Sequence, residues 1–78
     1  MNSVVSAKYL KDYKIEIIFD DGKKGVADLA QTLQTDHRKI FKELLDKKKF
    51  SDFRVDADTV IWKNGLDLAP EFLYKIVN

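Results

Sequence analysis

Alternation of apolar and polar residues predicts strands in the first third of the chain. The clearest case is residues 14–20, where Ile15, Ile17 and Phe19 fall on one face of an extended segment. Residues 4–10 have a strand-like composition with less regular alternation. We therefore predict two consecutive strands here.

The dipeptide Asp21-Gly22 predicts how the second strand continues. Gly22 adopts a positive φ readily, and a short polar residue before it favours a tight two-residue hairpin turn. A third strand over residues 23–29 should follow, antiparallel to the second.

The apolar spacing changes after this hairpin and predicts helices. Leu29 and Leu33 indicate a short helical turn, and residues 37–48 predict a longer helix with Asp36 as its N-cap. The apolar stripe of the longer helix consists of Ile40, Phe41, Leu44 and Leu45. We expect its C-terminal end, where the helix dipole favours cations, to carry Lys47, Lys48 and Lys49.

A second hairpin and a short helix complete the pattern. Residues 54–56 and 59–63 are typical of two strands around a turn at 57–58. Pro70 fits the first position of a helix, which should continue over residues 71–76.

The order β-β-β-α-β-β-α predicts an α+β fold. Hairpins that are close in sequence give a small, mostly antiparallel sheet, and the helices should pack on one of its faces. A chain of 78 residues has room for one core, so we expect a single domain over residues 1–78. Such a small core is marginal, which makes a protein partner or a second copy an attractive source of further burial.

Composition adds an expectation about the compartment. The chain has no cysteine, which excludes disulfides and thiolate metal sites and fits a reducing cytoplasm. Residues 1–10 contain Lys8 and no continuous apolar block, so we expect no signal peptide and no membrane span. We predict a cytoplasmic protein.

Residues that carry chemistry are scarce. His37 is the single histidine, and an exposed histidine without a role is the ordinary expectation in the first turn of a helix. Asp20 with Asp21, and Asp56 with Asp58, lie in predicted turns, where aspartate usually bonds to backbone amides rather than to a metal. We predict no enzyme activity, no cofactor and no metal.

The most distinctive charge pattern is a basic segment over residues 37–49. It carries a net charge of +4, against −1 for residues 1–36 and −2 for residues 50–78. Its cations are Arg38, Lys39, Lys42, Lys47, Lys48 and Lys49. A basic helix face can contact phosphates or an acidic partner, although a solvated helix surface is the commoner outcome and no aromatic stacking motif accompanies it.

Three further residues near the C-terminus are candidates for an interaction surface. Trp62 and Tyr74 are aromatic residues of the kind that interfaces favour, although a core position is favoured for Trp62. Asp67 should bond to free amides near the start of the last helix. A catalytic role for Asp67, Asp56 or His37 would require a pocket and a shifted pKa.

Several of these residues also carry a resemblance to a known family. Phe19-Asp20-Asp21-Gly22, Asp28-Leu29 and the region of Phe50 and Phe53 are part of it. The most specific part is Trp62-x-Asn64-Gly65-x-Asp67-Leu68-x-Pro70-Glu71-x-Leu73-Tyr74. The sequence resembles the bacterial domain of unknown function DUF2442, with Lys63 where proline is frequent and Ala69 where a polar capping residue often occurs.

The resemblance implies a compact α+β domain without an established activity. Members of the family resemble accessory proteins encoded beside small toxin-like partners, and some append a helix-turn-helix segment that suggests DNA regulation. The sequence ends at residue 78, so we expect no such segment here.

Our first functional hypothesis is a non-enzymatic protein-interaction module, the antitoxin-like or regulatory member of a bacterial two-protein system. The alternative is a nucleic-acid-binding or transcription-regulating accessory domain that uses the basic residues 37–49.

Overall fold

The computed structural model describes residues 2–77, which form two antiparallel sheets and four short helices. The strands are β1 (Val4–Tyr9), β2 (Lys14–Phe19), β3 (Lys24–Asp28), β4 (Phe53–Asp56) and β5 (Thr59–Trp62). The helices are α1 (Ala30–Thr35), α2 (Lys39–Lys42), α3 (Lys47–Phe50) and α4 (Pro70–Ile76), with a 3₁₀ turn (Glu43–Leu45) after α2. The predicted α+β architecture is confirmed.

The larger sheet has the strand order β1-β2-β3, and its central strand carries the core. Ile15, Ile17 and Phe19 of β2 are fully buried, as their alternation predicts. The smaller sheet is the β4-β5 hairpin. A backbone hydrogen bond from Val4 N–H to the Asp58 carbonyl, 2.9 Å long, connects the two sheets.

Helices and the second hairpin close over the inner face of the larger sheet. Phe50 of α3 makes an edge contact with Tyr9 of β1, with ring centroids 5.8 Å apart. Tyr74 of α4 makes a similar contact with Phe19, at 4.9 Å. Both helices therefore pack on the face that β2 buries. The buried residues form one cluster that includes Phe19, Leu44 and Trp62.

The β2-β3 connection differs from the prediction. It is a three-residue loop over residues 20–22, because Phe19 N–H donates to the Lys23 carbonyl and Gly22 N–H donates to the Phe19 carbonyl. Gly22 has φ = +90°, which suits the left-handed position that ends such a loop. The predicted two-residue turn at Asp21-Gly22 is therefore wrong, although the need for glycine is confirmed.

The single long helix predicted over residues 37–48 is also wrong. Asp46 has ψ = 113° and interrupts the helical path, and its carboxylate accepts hydrogen bonds from the N–H groups of Lys48 and Lys49 at 2.9 and 3.4 Å. In a continuous helix, Phe50 would point about 180° away from Phe41. The interruption lets both phenylalanines enter the core.

The start of this region differs as well. The carboxylate of Asp36 accepts the Arg38 N–H at 3.0 Å, and Arg38 itself is extended, with ψ = 139°. The helix consequently begins at Lys39 with no side-chain cap, and the predicted N-cap role of Asp36 is wrong. The lysines expected at the end of the long helix form the one-turn helix α3 instead.

Candidate functional site

Three of the six cations of the basic segment, residues 37–49, bind groups of the same chain. Arg38 binds the carboxylate of Asp36 through two nitrogens, at 3.0 and 2.8 Å. Lys42 donates to the carbonyls of Leu33 and Gln34 at the end of α1, where the helix leaves carbonyls without partners. The last of the three, Lys47, forms an ion pair with Asp12 at 3.1 Å. These three cations are therefore occupied by contacts within the chain.

The other three cations are Lys39, Lys48 and Lys49, which are exposed and form no ion pair within residues 2–77. They belong to two short helices, α2 and α3, which Asp46 separates. The continuous basic helix face that the sequence suggested does not form.

Trp62 is a core residue. Its side chain is 1% exposed, and its indole Nε1–H donates to the Phe50 carbonyl at 2.7 Å. The favoured core position is confirmed, and the side chain is not available to form a surface.

Tyr74 connects α4 to the loop between β2 and β3. Its hydroxyl donates to Asp21 at 2.7 Å, and the ammonium of Lys23 lies 4.0 Å from the centre of its ring. The hydrogen bond to Asp21 raises the pKa of Tyr74. The backbone N–H of Lys23 and then the Tyr74 hydroxyl lower the pKa of Asp21. Tyr74 is half-buried. Its hydroxyl and its ring are both engaged in contacts within the chain.

Asp67 has a different environment from the one predicted. Its backbone forms an isolated bridge with Ile61, and its exposed carboxylate makes no hydrogen bond to any of residues 2–77. The start of α4 at Ala69 has no side-chain cap, so the predicted bond from Asp67 to these amides is wrong. The carboxylate remains available to another molecule.

Asp67 lies in a groove of about 480 Å³ between α2 and α4, which we call the α2-α4 groove. Its large apolar side chains are Ile40, Phe41, Leu66, Leu68 and Phe72. Its polar lining includes Thr32, Asp36, Arg38 and Asp67. Phe72 is 36% exposed and lies outside the buried core cluster. The groove thus combines accessible apolar surface with charge.

Asn64 fixes one wall of the groove relative to the other. Its amide donates to the Ile40 carbonyl at 2.9 Å and to Glu43 at 3.1 Å. Its side-chain oxygen accepts the Leu66 N–H at 3.0 Å. Gly65, with φ = +93°, then turns the chain toward Asp67. The hydrogen bonds of Asn64 therefore hold this turn against the end of α2, beside the groove.

Among residues 2–77, one charge that lines the groove has no partner. The side chain of Arg38, followed by its backbone N–H, lowers the pKa of Asp36 to about 2, and Asp36 in turn raises the pKa of Arg38. The guanidinium also lies 4.7 Å from the ring centre of Phe41. Asp36 and Arg38 neutralise each other, so the uncompensated charge is that of Asp67.

Sequence reasoning singled out Arg38 and Asp67 but did not place them together. It also missed Phe72 and Leu68, which contribute apolar surface. The sequence could have indicated Phe72, because it is a large apolar residue on the exposed side of α4, whose buried residue is Leu73. The apposition of α2 with residues 65–69 depends on the tertiary fold.

The remaining carboxylates and the histidine do not assemble into a reactive cluster. Asp56 accepts the Ala57 N–H at 2.8 Å, and Asp20 accepts the Ser3 N–H at 3.1 Å. His37 is exposed. Across residues 2–77, no group of three or more histidine, aspartate or glutamate side chains is arranged to hold a metal ion. Within the same residues, no helix is long and apolar enough to cross a membrane.

Comparison with known families places the chain. The family model described as a protein of unknown function, DUF2442, matches residues 4–78. The chain belongs to the DUF2442 family. No significant match was found among curated proteins or among solved structures. In this DUF2442 chain, the motif from Trp62 to Tyr74 supplies a core tryptophan, the Asn64-Gly65 turn and the acidic side of the α2-α4 groove.

Proposed function

We propose that the protein is a non-enzymatic interaction module that binds a segment of a partner protein in the α2-α4 groove. The observation that carries the proposal is Asp67, an uncompensated carboxylate beside the exposed ring of Phe72. Protein interfaces combine accessible aromatic surface with a few polar groups in this way.

The groove fits a partner segment that places a cation next to an apolar side chain. A lysine or arginine would pair with Asp67, because the other carboxylate of the groove already binds Arg38. The neighbouring apolar side chain would cover Phe72 and Leu68. An acidic segment would place like charges together, which disfavours it.

The state of the titratable groups supports binding rather than catalysis. A general acid or base works best with a pKa near the operating pH. The pKa of Asp36 is about 2, and Asp36 is held by Arg38. Asp21 and Asp56 accept backbone N–H groups of their own turns, and Asp20 accepts the Ser3 N–H. Each of these side chains therefore has a structural task.

The setting that we propose is a bacterial two-protein system in the cytoplasm, with this chain as the antitoxin-like or regulatory member. The support is the family resemblance described above together with the small core, which a partner would extend.

Copurification from the native host tests the proposal. The tagged chain is expressed at its endogenous level, in parallel with the variants Asp67→Lys and Phe72→Ala. The matched control is Glu71→Lys, which makes the same charge change on an exposed residue of α4 that does not line the groove. We expect a stoichiometric protein with the wild type and the control, and its loss with both groove variants.

Two results would count against the proposal. One is the absence of any stoichiometric protein partner. The other is a partner that all three variants retain, which would place its binding outside the groove. Circular dichroism of each variant establishes that a loss of binding does not reflect a loss of fold.

A second candidate function is nucleic-acid binding by Lys39, Lys48 and Lys49. The observation in its favour is that these three exposed cations form no ion pair within residues 2–77. It would be an electrostatic interaction with phosphates and therefore sensitive to salt.

A further inference from the structure

The β3 strand has an open edge. It pairs with β2 on one side, and within residues 2–77 no other strand pairs with it. Bonds from Phe19 N–H to the Lys23 carbonyl and from Leu29 N–H to the Tyr13 carbonyl fix the phase of the ladder. Because bonded pairs alternate along antiparallel strands, the backbone groups of every second residue of β3 face away from β2. These residues are Lys24, Val26 and Asp28.

The side chains along this edge are arranged symmetrically. Lys24 and Asp28 are exposed, have opposite charges and lie two residues on either side of Val26. A two-fold axis through Val26 would therefore place Lys24 of each copy opposite Asp28 of the other. Gly25 would face Ala27, so only small residues meet on the inner face of the sheet.

From this arrangement we propose that β3 binds β3 of a second copy, antiparallel and centred on Val26. The contact joins two three-stranded sheets into one six-stranded sheet. The outward backbone groups of residues 24, 26 and 28 then find partners, and opposite charges face each other at both ends. The contact uses a different surface from the α2-α4 groove and does not depend on the proposed function.

The charges also favour this register over the other symmetric pairings of the outward groups. Pairings centred on Gly25 or Ala27 lose both opposite-charge pairs, because they place Lys24 or Asp28 opposite Val26. A pairing centred on Lys24 places the two lysines opposite each other, and a pairing centred on Asp28 does the same for the two aspartates. Like charges directly opposite each other destabilise antiparallel strands. The pairing centred on Val26 is therefore the symmetric register that the charges favour most.

The expected dimer is weak. A five-residue strand buries much less than the roughly 1,600 Å² of a standard interface. The carboxylate of Asp28 also accepts the Ala30 N–H at 3.1 Å through one oxygen, which leaves the other for the lysine of the second copy. The association should therefore depend on protein concentration.

A charge exchange between two chains provides the test. The variants Lys24→Asp and Asp28→Lys are each studied by sedimentation equilibrium over a range of concentrations, alone and as an equimolar mixture. Each variant alone places two like-charged pairs across the edge. We therefore expect its dimer dissociation constant to be at least about tenfold higher than that of the wild type. The mixture restores both opposite-charge pairs and should form a heterodimer with the affinity of the wild type.

Two further variants act as controls. Lys8→Asp makes the same charge change as Lys24→Asp on an exposed residue of β1, and it should leave the dimer unchanged. Val26→Pro removes an outward N–H without removing a bond to β2, and it should abolish the dimer. Thermal unfolding of each monomer confirms that the variants are folded.

Mixed isotope labelling identifies the register directly. The proposed pairing predicts a contact between the Hα atoms of Gly25 in one copy and Ala27 in the other, because these residues form a non-hydrogen-bonded pair. A chain that is monomeric at all concentrations would overturn the proposal. So would a dimer that Lys24→Asp and Val26→Pro leave intact, or a mixture that does not recover.

Discussion

Several polar side chains in this small protein connect one structural element to another. Lys42 binds carbonyls at the end of α1, and Tyr74 joins α4 to the loop before β3. Asn64 holds its turn against α2. No buried side-chain nitrogen or oxygen within residues 2–77 lacks a hydrogen-bond partner. Asp67 differs from these connecting side chains, because its exposed carboxylate bonds to none of residues 2–77.

The pairing of Asp36 with Arg38 gives a prediction at the same scale. The lowered pKa of Asp36 means that its ionised form stabilises the folded chain above the ordinary pKa of 3.8, and that this contribution is lost as the pH falls toward about 2. In Arg38→Gln, the pKa should rise part of the way to 3.8, because the backbone N–H of residue 38 still donates. Carbon-detected NMR titration of the Asp36 carboxyl measures it.

The matched control for this titration is Lys39→Gln, which removes a neighbouring positive charge that does not contact Asp36. Its effect on the pKa of Asp36 should be small. An unchanged pKa in Arg38→Gln, or equal changes in both variants, would show that the contact is not the cause.

Among the elements, the strands were predictable and the central helices were not. The alternation of Ile15, Ile17 and Phe19 is local information, and it defines β2 and the face that it buries. The helix over residues 37–48 was predicted from an equally local stripe. Its interruption follows from the burial of Phe50, which contacts Tyr9 and Tyr13 on the other side of the core. Such contacts cannot be read from a helical period.

The N-cap role of Asp46 is testable by two substitutions. Asp46→Ala removes the acceptor for the N–H groups of Lys48 and Lys49 and should cost about 1 kcal/mol of unfolding free energy. For a domain of this size, that corresponds to a fall in Tm of about 4–8 °C. Asparagine caps helices as well as aspartate does, so Asp46→Asn should retain nearly all of the stability. Thermal unfolding followed by circular dichroism compares the two.

The opposite result would follow if a continuous helix were the more stable arrangement. Asp46→Ala would then stabilise the chain and increase its helical circular dichroism signal. Equal losses in Asp46→Ala and Asp46→Asn would instead indicate that the charge, rather than the cap, is what matters.

On the scale of the whole molecule, charge is segregated along the sequence but not concentrated on one face of one helix. The basic residues 37–49 belong to two helices and a 3₁₀ turn, and half of their cations bind groups of the same chain. The α2-α4 groove brings Arg38 near Asp67, which is 29 positions further along. Composition predicted the amount of charge, whereas the fold decides where an unpaired charge remains.

This distribution predicts weak nucleic-acid binding, and charge reversal measures it. One triple variant changes Lys39, Lys48 and Lys49 to glutamate. The matched control changes Lys8, Lys11 and Lys75, which are also exposed and outside the ion pairs of residues 2–77. Because the net charge of the chain is only +1, we expect any binding to labelled DNA or RNA at low salt to be weak and non-specific. It should therefore fall equally in both triple variants.

Three contacting lysines limit the dependence of log K on log salt to a slope of about −3, which distinguishes this surface from a dedicated nucleic-acid site. A slope of about −3, abolished by the first triple and retained by the control, would favour the second candidate function. Nucleic-acid binding would then have to be explained by Lys39, Lys48 and Lys49 acting together across the interruption at Asp46. Equal losses would leave the α2-α4 groove as the better-supported binding surface, because Asp67 and Phe72 do not depend on the net charge.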